Sequence, residues 1–158
     1  MQQTMVVGSL SLAVSRVAEQ KARFPKLREF AQLETAEQET LADVLKSLQS
    51  PGLVNGTVTH PSEAELEEHL DPAGREMLQK MRSAQAGAMF DRAYLDAQTD
   101  GHQQLLRIQD DYLRSGGNPD NINVAKLARG MIKEHLQVLA DIKMEMGPNT
   151  TGAEPGRR

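Results

Sequence analysis

The 158-residue chain has no cysteine and no tryptophan, only three phenylalanines and two tyrosines, and no long apolar run. Without cysteine there can be no disulfide, no thiolate nucleophile and no thiolate-bound zinc or iron–sulfur cluster. So few aromatic rings offer little for base stacking. Acidic and basic residues are interspersed over a net charge of −4, so the clustered basic face that neutralises phosphates is missing, and nucleic acid is not an expected partner. No stretch approaches the roughly 20 apolar residues that a membrane helix needs, so no membrane span is expected. The opening MQQTMVVGSLSLAVSRVAEQ lacks a basic leader region and runs directly into helical periodicity, so it reads as a first helix and not as a targeting segment. P-loop, Gly-x-Gly-x-x-Gly, His-Glu-x-x-His and Gly-x-Ser-x-Gly patterns are also missing, and nothing in the spacing organises a serine triad. No catalytic residue is assigned on sequence grounds.

What is there is amphipathic periodicity. Projected at about 100° per residue, four long segments each gather an apolar face, at about 4–24, 25–49, 86–114 and 119–146. The first collects Val6, Leu10, Ala13, Val14, Val17 and Phe24, leaving Ser11 and Ser15 off that face. The second opens at Pro25, where a missing N–H is harmless, and collects Leu27, Phe30, Ala31, Leu41, Leu45 and Leu48 before SPGLVNG stops it. Residues 50–85 read as a connection with two short helices, one opened by a Ser62/Glu65 capping box and one by Asp71-Pro72. Ser115-Gly116-Gly117 ends the third long helix and Asn118-Pro119 opens the fourth, so these two should lie antiparallel. The expected architecture is an all-α, up-and-down four-helix bundle over 1–146, with a short helical insertion between the second and third long helices. Residues 147–158 should form a flexible tail.

Polar residues interrupt these apolar faces. On the third helix Asp91, Gln98, His102 and Gln109 form a row between apolar borders. On the fourth, His135 lies amid Val124, Leu127, Ala128, Met131, Val138, Leu139 and Ile142. Glu34 and Gln38 stand one turn apart on the second, and the first contributes nothing comparable. Drawing such groups out of water costs a few kcal/mol each unless they find partners. A di-iron centre would need Glu three residues before a histidine, but Thr57, Leu66, Thr99 and Ile132 precede His60, His69, His102 and His135. Glu34, His102 and His135 would instead make a two-histidine, one-carboxylate set for a single iron(II), manganese or zinc ion, with Gln38, Gln98 and Asp91 hydrogen-bonded around it. The simpler alternative is a hydrogen-bonded network that fixes helix register and binds nothing. His60 and His69 read as solvated, and Met77, Met81, Met89, Met131 and Met144 as gap fillers.

LREFAQLETAEQETLADVL (27–45), FDRAYLDAQTDGHQQLL (90–106) and IKEHLQVL (132–139) together resemble the DUF4142 family, over about residues 5–145. The resemblance implies a ferritin-like four-helix fold, export to the periplasm or outer membrane, and family histidines at His102 and His135. It also exposes departures: Glu37-Gln38 stands where many members have Asp-His, and Ser11 and Ala13 where they carry acidic residues, which removes further ligands. Three functional readings follow. The first is a non-enzymatic exported protein, linked to envelope stress, whose polar layer is available to one divalent ion. The second is a metal-dependent redox enzyme using Glu34, His102 and His135. The third is an interaction module, binding a protein partner or a second copy through residues 50–85 or an exposed helix face.

Overall fold

Six helices and no strand make up the residues described by the computed structural model, which are 2–50, 52 and 56–148. They are α1 Gln2–Lys21, α2 Pro25–Gln49, α3 Glu63–His69, α4 Pro72–Ser83, α5 Ala88–Ser115 and α6 Pro119–Met146. The tail expected over 147–158 lies outside the described residues from 149 onward. Among the described residues no helix is long and apolar enough to cross a membrane.

Local chemistry sets the helix ends. Ser62 and Glu65 form the expected reciprocal capping box, and Asp71 and Asn118 each accept backbone N–H groups at the starts of α4 and α6. Gly116 and Gly147 close α5 and α6 at φ 72° and 69°, where a side chain would be strained. The turn from α1 to α2 has no capping side chain of its own. Asp91 of α5 supplies one, accepting from Arg23 N at 2.9 Å and Phe24 N at 2.8 Å. Asp91 therefore caps a neighbouring helix and does not join the polar layer expected of it.

Cross-helix bonds fix the directions. Gln109 meets Thr4 and Asp91 meets Arg23, so α5 runs antiparallel to α1. Arg129 pairs with Asp110 and Lys143 with Asp96, so α6 is antiparallel to α5. With α2 folding back on α1, α2 and α5 run the same way. The expected up-and-down alternation is thus corrected to up-down-down-up: the connection after α2 travels back along the bundle before α5 begins. The reason is packing. Leu66 and Leu70 at and just after α3, and Leu78 and Met81 of α4, are buried in one core with Leu12, Ala18, Leu27, Phe30 and Tyr94. The segment expected to be an insertion is a strap bound to the core along its apolar side.

Two faces sit differently from expectation. On α6 the buried row is Ala125, Ala128, Ile132, Leu139 and Ile142, while Leu127, Met131 and Val138 are exposed. On α1, Thr4, Ser11 and Ser15 are buried with Leu12, Ala13, Val14 and Ala18.

Candidate functional site

Three helices bring Glu34 (α2), His102 (α5) and His135 (α6) to one point. Glu34 Oε2 lies 3.3 Å from His102 Nε2 and 3.0 Å from His135 Nδ1, and the two ring nitrogens are 3.0 Å apart. Glu34 and His102 are buried and His135 nearly so. The edge of the Phe30 ring packs against both imidazoles, with centroids at 6.1 and 5.3 Å.

The surroundings orient these groups. His102 Nδ1 donates to the Gln98 carbonyl at 2.8 Å, which turns Nε2 towards the cluster with its lone pair or second proton. Ser11 Oγ lies 2.5 Å from Glu34 Oε1 and 2.8 Å from Gln98 Oε1; its one proton serves the carboxylate, the stronger acceptor. Gln98 Nε2 donates to Ser15 Oγ at 3.0 Å, and Ser15 Oγ pairs with the Tyr94 hydroxyl at 2.8 Å. Glu37 Oε2 stands 2.9 Å from His135 Nε2 on the outer side of the ring. Despite these short distances, Glu34 Oε2 and Glu37 Oε2 are buried oxygens with no aligned hydrogen bond: the imidazoles approach them off the N–H axis.

Charge is distributed accordingly. Burial alone would raise the pKa of Glu34, but the close imidazoles of His102 and His135 and the hydroxyl donor of Ser11 more than offset it and hold the group below the usual carboxylate range. For His135 burial acts to lower the pKa, and Glu34 and Glu37 outweigh it, so the imidazole is raised above its ordinary value. Burial pushes Glu37 up.

Of the residues singled out from sequence, Glu34, His102 and His135 converge. Gln98 supports them through its backbone and Ser11, and Gln38 lies beside His102 and His135 in the lining of a small cavity. Asp91 is elsewhere, as described above. Sequence reasoning missed Ser11, Ser15 and Glu37. A signal for the serines existed: Thr4, Gly8, Ser11, Ser15 and Ala18 repeat at helical spacing as a stripe of small residues on α1. A Cβ added at Gly8 would lie 2.9 Å from Gln38 Oε1, so the stripe lets α1 approach α2 closely. His60, expected to be solvated, is exposed but paired, with Nδ1 2.6 Å from Glu39 Oε2, while Arg16 holds Glu39 Oε1 at 2.7 Å. A cavity of about 400 Å³ between α1, α2 and the 59–69 segment includes none of the three converging residues.

Fold and site together define an all-α protein with a buried carboxylate–imidazole cluster at the meeting of three helices. The family described as Domain of unknown function (DUF4142) matches residues 1–142, and the chain belongs to it. No curated protein and no solved structure matches the chain.

Proposed function

We propose that residues 1–146 form a ferritin-like four-helix bundle that holds one divalent cation (iron(II), manganese or zinc) on Glu34, His102 and His135, without catalytic residues of its own. The observation that carries this reading is the buried Glu34 Oε2, which lacks an aligned donor yet faces two ring nitrogens at 3.0 and 3.3 Å. Donor atoms that share a first-row ion, each about 2.0–2.2 Å from it, sit roughly 3 to 3.5 Å from one another. The triangle of 3.0, 3.0 and 3.3 Å fits that spacing. The donor types suit the ion as well, and the carbonyl of Gln98 orients His102 as metal-binding histidines are commonly oriented. When bound, the ion would neutralise an inward-facing carboxylate and draw lone pairs from both rings. Export to the periplasm and a role in envelope stress rest on the family resemblance alone.

A second reading has its own support. His102 Nε2 and His135 Nδ1 are placed to share a proton at 3.0 Å, so the cluster can close as a purely structural network. Metal content of protein purified without chelators, beside a His135→Ala variant, separates the two. Stoichiometric metal in the parent chain, lost in a variant that still folds, is the expected result. A parent that neither carries nor takes up iron, manganese or zinc, with a variant that only loses stability, would leave the structural network standing.

A further inference from the structure

Glu34 is fully buried, and the groups behind it are closed off: Ser11, Gln98 and Phe30 are 6%, 1% and 3% exposed. The opposite side is different. A cavity of about 20 Å³ lies directly against His102 and His135, among Gln38, Leu41, Ala128, Met131 and Ile132. That is about the space one water needs, and far below a drug-sized pocket of roughly 300 Å³ or more. Its rim reaches solvent at Glu37, 36% exposed, and Met131, 39% exposed. It opens along the seam between α2 and α6, the two adjoining long helices that touch each other least. Three protein donors do not fill the coordination sphere of iron(II), manganese or zinc, and two-histidine, one-carboxylate sets leave positions open.

We infer that the loaded centre has a free coordination position facing the α2–α6 seam, and that the cavity limits its occupant to one or two heavy atoms: water, hydroxide or a diatomic molecule. This rests on the metal reading above and adds to it an exogenous ligand, its size class and its route. The route is controlled by Ala128 and Met131, which are not among the three ligands. Leucine at 128 would fill the cavity from the α6 side and leave the three ligand residues themselves unchanged. Alanine at 131 would widen its rim.

The test uses the full chain loaded anaerobically with iron(II), its iron content measured first, and nitric oxide as the two-atom probe. In the parent protein nitric oxide should give the absorption bands and half-integer-spin EPR signal of a ferrous nitrosyl, while imidazole, with five ring atoms, should leave the iron unchanged. Ala128→Leu should retain iron and bind nitric oxide at least tenfold more weakly. Met131→Ala should admit imidazole. Failure of nitric oxide to bind while iron is retained overturns this inference and leaves the metal site standing, as does imidazole binding to the parent as readily as nitric oxide. Failure to take up iron, manganese or zinc overturns the metal reading and this inference together. If Ala128→Leu does not fold, the Met131→Ala comparison decides: imidazole excluded from both proteins would show that this rim does not control access.

Discussion

At the level of single side chains, the cluster depends on a hydroxyl that looks unremarkable in the sequence. Ser11 gives its proton to a carboxylate with no exposure to water. Ser11→Ala removes that donor and leaves Glu34 Oε1 unpaired in the interior, which should destabilise the protein by about 1–3 kcal/mol. Urea unfolding of the metal-free chain measures this, and the same variant should lose roughly 10- to 100-fold in metal affinity by titration calorimetry. Protonation gives a second expectation. Glu34 and Glu39 have lowered pKa values in the fold, so their contribution is complete above the ordinary value of 4.5 and is lost as the pH falls through the depressed ones. His135 is raised, so its contribution is complete below 6.5 and is lost as the pH rises through its folded value. Glu37, raised by burial, works against the two carboxylates on the acid side. Metal-free protein should therefore be most stable between about pH 4.5 and 6.5, and urea midpoints should fall on both sides of that window. A midpoint that climbs steadily from pH 6 to 9 without metal would contradict the assignment at His135.

At the level of helices, the three polar residues that meet were legible because each breaks an apolar stripe at helical spacing. The physics of burial makes such a break conspicuous in any sequence. Ser11 and Ser15 were not legible, because a small hydroxyl residue on a helix face counts neither as core nor as clearly polar until a neighbour at hydrogen-bond distance is known. The face of α6 was misread for a related reason. Its buried row relies on Ala125 and Ala128, which carry little hydrophobic weight, while Leu127, Met131 and Val138 carry much and lie outside. The two short helices of the connection were legible from their caps, but its irregular stretches hide the fact that Leu66, Leu70, Leu78 and Met81 share one side. Their burial has a measurable consequence: Leu66→Ala should cost about 2–5 kcal/mol, as in any core. Loss of less than about 0.5 kcal/mol, as at a surface site, would mean the strap is dispensable.

At the scale of the whole molecule, the returning strap makes α2 and α5 run in the same direction. It lets residues far apart in sequence arrive at one depth in the bundle. Glu34 and His102 are separated by 68 positions and His102 and His135 by 33, yet their donor atoms touch. An ion seated there would join three rods that share no covalent bond except the chain itself. At a free ion concentration a hundredfold above the dissociation constant, unfolding should become harder by about 2.7 kcal/mol, seen as a concentration-dependent rise in Tm that EDTA reverses. The arrangement then behaves as a removable rivet: closing two long loops at once, it would make α2, α5 and α6 come apart as a unit under load or heat, and extraction of the ion would let the α2–α6 edge breathe first.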